Sequence, residues 1–348
     1  MTAPAATVHG RFSPGRLAGV GGVLLALLVV CFAASGFLGA EAVDLDAALR
    51  DPASVDARIL FGLRLPRLLL AAIAGAGLAA AGAAYQGLLR NPLADPFVLG
   101  VSGGAALGGT IAMVAGELLG RAGLALPAGG IAVATASFLG AVLATLLSFA
   151  AGLRNGRLDP TRTLLVGVVF NFFASALITL LKTVVSPEKA QELLFWLTGA
   201  LGYESGGTLA VAGLATVAAI AVLAALAPAV NLLALGDDGA AALGVDVGRV
   251  RTLVFLAASM TVGVIVSLTG MVAFVGLVVP HLCRLAFGPD QRLLVPASAL
   301  GGAAFLLLAD LGARLLFLPL GTELPVGALT ALVGGPFFLL LLRRDGLR

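Results

Sequence analysis

Lysine, histidine and cysteine, which often carry catalysis or bind metals, are all scarce in this 348-residue sequence. The two lysines, Lys182 and Lys189, do not follow glycine, so no Walker A Gly-Lys-Ser/Thr element is present to hold nucleotide phosphates. Two histidines are too few for a histidine-based metal cluster, and Cys31 and Cys283 lie within apolar segments, as inert core thiols do. We therefore expect no catalytic residue, metal or cofactor on this chain, and any ATP hydrolysis must occur on another chain.

Three arginines that could bind a partner stand at the ends of apolar segments. Arg64-Leu-Pro-Arg67 opens one segment, where proline suits a first helical turn and fixes the two flanking guanidiniums. Arg314 closes another segment, and Asp310 stands four residues before it, which is a favourable helical ion-pair spacing. These residues could anchor lipid headgroups and neutralise one another, or they could dock an acidic partner through bidentate carboxylate pairs.

The segment 231–249 carries acids between glycines. Glycine before a pair of acids and a second glycine after a short Ala/Leu run are start and stop signals for a helix. This predicts a short helix, which is either a connector or a rigid peg gripped by another subunit. The residues concerned are Gly236, Asp237, Asp238, Leu243, Gly244 and Asp246.

Three isolated polar residues lie in other apolar segments. Asn171 and Lys182 share one segment, and polar groups there are costly unless they face protein or a water-filled path. Lys182 could instead extend to the membrane edge. His281 follows Pro280 and is interpreted as a packing residue.

The composition indicates the elements that must position these residues. The chain is 60% hydrophobic and 11% charged, with a mean hydropathy of +1.09, whereas soluble domains are about 45–50% apolar and about 25% charged. A net charge of +3 with scattered basic residues excludes a nucleic-acid partner. A cytosolic enzyme and a disordered chain are also excluded, so we predict one all-α polytopic membrane domain over residues 1–348.

About 20 apolar residues are needed to cross the bilayer. The best count is ten spans, within a range of eight to eleven. A shorter apolar piece near 191–203, after the fifth span, predicts a partial helix. The first span is too long for a signal-peptide core and is expected to be retained. The ten segments are 17–39, 66–88, 97–116, 124–151, 163–185, 206–228, 250–271, 272–287, 293–315 and 325–342.

Ten spans place both termini on one side of the membrane. Assigning that side to the cytoplasm puts 13 of the 21 basic residues inside, in agreement with the positive-inside rule. The tail 1–16 and the loop 231–249 are then cytoplasmic. The first outer loop holds four of the eight basic residues left outside, and docking of a partner would explain this excess.

Small residues recur every four positions in the second span, which allows a neighbouring backbone to approach closely. Residues 75–80 within this span also match a dinucleotide fingerprint, but they lie mid-helix without a preceding strand, so we expect no nucleotide there. The recurring residues are Ala71, Gly75, Ala79, Ala83 and Gly87.

Six ordered motifs from about residue 60 onward resemble the FecCD family of permease subunits from bacterial ABC importers for ferric siderophores, haem and cobalamin. They are RLPR (64–67), GLLRNPLADPFVLGVSGGAALG (87–108), LLALGDDGAAALGVD (232–246), FVGLVVPHLCRL (274–285), LLLADLGARLLF (306–317) and ELPVGALTALVGGPFFLLLL (323–342).

The resemblance implies a ten-span inner-membrane subunit that pairs with a second permease subunit, as a homodimer or with a related chain. It implies a path along the subunit interface, lined largely by the fifth and tenth spans. Arg64, Arg67 and Arg314 would receive glutamates of a periplasmic binding protein. Segment 236–248 would seat in two cytoplasmic ATPase subunits, which hold the ATP and Mg.

We therefore expect an importer permease for a ferric chelate, with Asn171 and Lys182 as hypothetical path contacts. Cobalamin is the alternative substrate. An ion-coupled secondary transporter would need membrane carboxylates, and Asp310 is the one clear candidate. An intramembrane enzyme would need a buried nucleophile with a base, or a metal site, and no motif supports either.

Overall fold

The computed structural model describes residues 12–39, 43–124, 130–154, 157–316 and 324–345. Regular structure in these ranges is helical, apart from a short antiparallel hairpin that pairs Leu153–Arg154 with Arg157–Leu158. The all-α prediction is confirmed, although the hairpin was not foreseen. Residues 1–11 of the predicted cytoplasmic tail lie outside the described residues.

Fourteen α-helices are present within these ranges. A π-helical turn at Arg58–Arg64 joins α3 to α4, and a 3-10 turn at Pro96–Leu99 precedes α5. In chain order the helices are α1 (Pro14–Phe37), α2 (Leu45–Arg50), α3 (Val55–Ala57), α4 (Leu65–Leu88), α5 (Val101–Arg121), α6 (Gly130–Gly152), α7 (Pro160–Lys182), α8 (Pro187–Leu197), α9 (Gly206–Leu233), α10 (Asp237–Ala242), α11 (Val247–Thr269), α12 (Val275–Phe287), α13 (Gln291–Leu315) and α14 (Val326–Asp345).

The helices long and apolar enough to cross a membrane number eight in the described chain. Two shorter apolar helices, α12 and residues 326–340 of α14, bring the set to the ten segments predicted from hydropathy. The predicted partial helix is α8, which begins and ends several residues earlier than the range 191–203. The multi-pass architecture is therefore confirmed.

Several helices begin at an acidic residue that caps free backbone N–H groups. The Asp159 carboxylate accepts from the amides of Thr161 and Arg162 at the start of α7. Asp290 caps α13 in the same way. These caps explain why acids stand at the boundaries of otherwise apolar segments.

Helix α4 is the centre of the bundle and contacts α1, α9, α11, α12 and α13. A side chain at Gly75 would collide with the carbonyl of Gly302 in α13, and one at Gly82 would collide with Gly276 in α12. The predicted small-residue face is thus a packing face. Residues 75–80 lie in mid-helix, which supports the exclusion of a nucleotide site.

The remaining long helices are more peripheral. In its most apolar stretch α4 is 78% buried, whereas α1 is 11% buried and α7 is 17% buried. The perimeter therefore offers apolar surface to lipid or to another subunit.

Cys31 and Cys283 are buried free thiols, as expected, and His281 is buried in α12.

Candidate functional site

Helix α4 separates two charged clusters. Its 24 residues span about 36 Å at 1.5 Å per residue. Arg64 and Arg67 lie where it begins, and Arg90 follows its last turn. We call the first location the arginine end of the bundle and the second the α10 end, because Arg90 contacts Asp237 of α10.

At the arginine end, Asp310 of α13 is fully buried and receives two arginines. Arg67 Nε donates to Asp310 Oδ1 at 2.9 Å, and Arg314 Nε donates to Asp310 Oδ2 at 3.0 Å. A buried carboxylate that accepts from two guanidiniums has its charge compensated on both oxygens. The i,i+4 pair expected from the sequence is therefore present, and Arg67 is an additional partner.

Arg314 and the neighbouring Arg64 also hold the end of α1. Arg64 Nη1 donates to the carbonyl of Gly36 at 3.0 Å, and Arg314 Nη2 donates to that of Ser35 at 2.8 Å. The last carbonyls of a helix have no intrahelical donor, so these bonds satisfy them. Arg64, Arg67 and Arg314, which the resemblance grouped as docking residues, lie at the same end of the bundle, but each is at most 9% exposed. Docking through them remains a prediction.

At the α10 end, Asp237 fixes the short helix to its neighbours. Arg251 of α11 donates to both carboxylate oxygens, at 2.8 and 2.7 Å, and Arg90 donates to Oδ1 at 2.6 Å. Partial burial alone would raise the pKa of Asp237, but the two arginines outweigh burial and hold that pKa below its usual range. Asp237 is therefore an ionised anchor.

The glycines that bound α10 adopt conformations that other residues disfavour. Gly236 has φ +96° and Gly244 has φ +84°, so the predicted start and stop of the helix are confirmed. Asp246 caps α11 by accepting from the amide of Arg249. Asp238 is exposed and Leu243 is 59% exposed, so both side chains lie on the surface of the described chain, and their predicted contact with another subunit stays a prediction.

A cavity of about 390 Å³ lies between α5 and α7, with Asn171 and Lys182 both in its wall. Asn171 Nδ2 donates to the carbonyl of Phe97 at 2.7 Å. The buried Ser102 hydroxyl also lines it and has no hydrogen-bond partner among the described residues. We call this the α5–α7 cavity. It places the two predicted path residues on a shared polar surface.

Lys182 supplies the positive charge of this cavity. No carboxylate lies within 4.0 Å of its ammonium in the described part of the chain, whereas Lys189 pairs with Glu192 at 2.8 Å. A partly buried ammonium without a counter-ion favours an anionic occupant.

Sequence reasoning missed the partners that hold these sites together. Arg67 meets Asp310 across 243 positions, and Arg90 meets Asp237 across 147. No local spacing rule signals such pairs. Groups of three or more His, Cys, Asp or Glu residues that could hold a metal are absent from the described ranges.

Comparison with known proteins identifies the family to which this architecture belongs. The FecCD transport family matches residues 26–344. The hemin transport system permease protein HmuU of Yersinia pestis is 37% identical over 340 residues, covering 97% of this chain and 98% of its own. The cobalamin import system permease protein BtuC of Halobacterium salinarum is 41% identical over 289 residues, covering 82% and 74%.

A solved structure described as an inward-facing conformation of a metal-chelate type ABC transporter aligns with a TM-score of 0.82 at 31% identity. It covers 94% of this chain and 99% of that one. The family match, over residues 26–344, begins within α1 and ends within α14. The chain therefore belongs to the FecCD transport family, and it is a multi-pass membrane permease of the ABC importer type.

Proposed function

We propose that this permease carries a ferric chelate, a siderophore complex or haem, from a periplasmic binding protein to the cytoplasm. The observation that carries the proposal is the α5–α7 cavity, where Lys182 offers an uncompensated positive charge beside hydroxyl and amide groups. Many ferric chelates are anionic. The relative named as a hemin permease also aligns over nearly the whole of both chains.

Cobalamin is the second candidate, because relatives named as cobalamin or vitamin B12 permeases are up to 41% identical to this chain. Cobalamin has little need of a cationic wall. The two candidates therefore differ in their expected dependence on Lys182.

The proposed assembly lies in the bacterial inner membrane with both termini in the cytoplasm. Two permease subunits enclose the path, and the exposed face of α7, which includes Phe172 at 73% exposure, would face the partner. Arg64, Arg67 and Arg314 would receive acidic side chains of the binding protein. Two ATPase subunits, which hold ATP and Mg, would grip α10 and switch the path between its inward- and outward-open states.

Reconstitution in proteoliposomes with the cognate ATPase and binding protein tests this proposal. We expect ATP-dependent uptake of a ferric siderophore or haem in preference to cyanocobalamin. Preferred uptake of cyanocobalamin would favour the second candidate. Uptake driven by an ion gradient without ATP would contradict the importer assignment.

Replacing Lys182 with Gln is expected to lower chelate uptake about tenfold, since a hydrogen bond to a charged group contributes about 1.5–3 kcal/mol. ATPase stimulation by the binding protein should stay within twofold, because the cavity wall includes neither Arg64, Arg67 and Arg314 nor any residue of α10. Transport assays on proteoliposomes measure both quantities. Lys189→Gln, which removes the only other lysine but spares the cavity, is the matched control. Equal chelate uptake by the Lys182→Gln and Lys189→Gln variants would show that Lys182 does not contact the transported chelate.

Replacing Leu243 with Asp is expected to weaken association with the ATPase subunits at least about tenfold. Burial of one leucine contributes about 1.5–3 kcal/mol, and this variant forfeits it at the contact. Co-purification and titration of ATPase subunits measure the loss. Leu49→Asp places the same change on α2, where the leucine is 70% exposed, and should leave association unchanged. Unaltered association of Leu243→Asp would contradict the coupling role.

A further inference from the structure

A second cavity, of about 640 Å³, lies at the α10 end, where the starts of α1 and α13 meet the ends of α4, α9 and α12. We call it the basic cavity. Four arginines line it against a single carboxylate, that of Asp290. The arginines are Arg16, Arg90, Arg284 and Arg292.

Two of these arginines already have acidic partners. Arg292 Nη2 lies 2.6 Å from Asp290 Oδ2, and Arg90 donates to Asp237. Arg284 differs, because its Nη2 donates to the neutral amide oxygen of Gln86 at 2.8 Å. No carboxylate lies within 4.0 Å of Arg284 in the ranges described. Its charge is therefore available to an anion.

Arg16 adds a second guanidinium to the same wall. Its Nη2 donates to the carbonyl of Phe287 at 2.8 Å, another neutral acceptor. A guanidinium has five N–H donors, so Arg284 can bind an anion while keeping its bond to Gln86, and Arg16 adds a second positive charge to the wall.

An independent observation indicates that the ligand also donates a hydrogen bond. Gln291 is 5% exposed and lines the basic cavity, and its Oε1 has no partner among the described residues. Nearly all buried acceptors in proteins are satisfied. A ligand that presents an anionic group beside a hydroxyl would satisfy both Arg284 and Gln291.

Most of the remaining wall is apolar, apart from Gln86 and Asn231, and it stands at the edge of the bundle. Phe12, Val230 and Phe287 line the cavity, and Phe12 also packs 4.1 Å from the guanidinium of Arg292. Helix α1, whose apolar surface is mostly exposed, forms one side. Apolar contacts beside a cationic wall suit the interfacial part of a lipid better than a soluble anion.

We propose that the basic cavity binds the headgroup of an anionic glycerophospholipid of the phosphatidylglycerol type. The phosphate contacts Arg284 and Arg16, and a glycerol hydroxyl donates to Gln291. Basic pockets between membrane helices on the cytoplasmic side bind such headgroups. Because Arg90 lines the cavity and also holds Asp237, the bound lipid lies next to the anchor of α10.

Native mass spectrometry of the full-length, detergent-purified protein tests the proposal by titration with phosphatidylglycerol and phosphatidylcholine. We expect selective binding of phosphatidylglycerol, weakened about fivefold by Arg284→Gln and by Arg16→Gln. Arg162→Gln, an exposed arginine at the start of α7, is the control and should bind as the unaltered protein does. Arg16→Gln, at a half-buried position, provides the result if Arg284→Gln does not fold.

Three results would overturn the proposal. Equal affinity for phosphatidylcholine and phosphatidylglycerol would show that the negative charge of the headgroup has no role in binding. Equal phosphatidylglycerol binding by Arg16→Gln, Arg284→Gln and Arg162→Gln would place the lipid elsewhere. Displacement of bound lipid by glycerol 3-phosphate at equal concentration would assign the cavity to a soluble phosphate.

Discussion

Replacing Asp310 with Ala is expected to destabilise the permease by about 3–5 kcal/mol, the largest effect of any single substitution considered for this chain. The change leaves Arg67 and Arg314, which are 7% and 8% exposed, without their shared carboxylate. Removing one partner from a buried ion pair costs more than the pair itself contributes, because the remaining charges stay desolvated. Thermal unfolding in detergent and the yield of monodisperse protein measure the loss.

A second pair on this chain provides the matched control. Asp46 and Arg50 also have i,i+4 spacing and an N–O distance of 2.8 Å, but their side chains are 68% and 78% exposed. Asp46→Ala should therefore change stability by less than about 0.5 kcal/mol. If Asp310→Ala unfolded at the same temperature as Asp46→Ala, the arginine end would not have the structural role assigned to it.

Asp310→Asn separates stability from docking. It keeps the shape and one acceptor oxygen but removes the charge that compensates two guanidiniums. If the binding protein docks here, folded Asp310→Asn protein should show altered stimulation of ATPase activity by the binding protein. The reason is that the guanidiniums of Arg67 and Arg314 lose the carboxylate that orients them. Unchanged stimulation together with lowered stability would assign the cluster to the fold alone.

Replacing Asp237 with Asn is expected to lower ATP-coupled transport about tenfold or more while the protein remains folded. The variant loses charge-assisted bonds to Arg251 and Arg90, each of which contributes about 1.5–3 kcal/mol when fully desolvated and less at this half-exposed site. A loosened α10 would be gripped less productively by the ATPase. Coupled ATPase and uptake assays measure the effect.

Asp46→Asn is the control, because it removes the same charge from an exposed acid on α2, outside α10, and leaves the anchor intact. We expect less than a threefold change in ATP-coupled transport, and equal losses in the two variants would contradict the anchoring role.

The pKa of Asp237 is held below its usual range, so its stabilising contribution is fully present above the unfolded-state value of about 3.9. It is lost only as pH falls through the lowered pKa. Coupling between pH 5 and 8 should therefore not titrate through this residue.

Hydropathy was sufficient to predict the ten apolar helices, and the glycine and acidic residues at helix boundaries were sufficient to predict where α10 begins and ends. Gly236, Gly244 and the acids between them act through local backbone geometry, which a short stretch of sequence contains in full. The Asp310–Arg314 pair was predictable for the same reason, since one helical turn joins the two residues.

Contacts between distant segments were not predictable. Arg67 reaches Asp310 only once α4 has packed against α13. Arg90 reaches Asp237 only once α10 has folded back on α11. The grouping of Asn171 and Lys182 along a single cavity also depends on how α5 and α7 pack. Membership of the family implied that arginines matter at one end, but it did not show that their guanidiniums lie buried against α1.

The glycine contacts of α4 have a mechanical consequence for a transporter that must change shape. Where Gly75 touches Gly302 and Gly82 touches Gly276, backbone rests on backbone, with no side chain between them to change rotamer. Helices α4, α12 and α13 should therefore move as one stiff unit, and alternating access must be achieved by the looser helices around it. Because Arg90, which follows α4, pairs with Asp237 of α10, a displacement of α10 should be passed to this stiff unit as a whole and not absorbed by side-chain rearrangement within it.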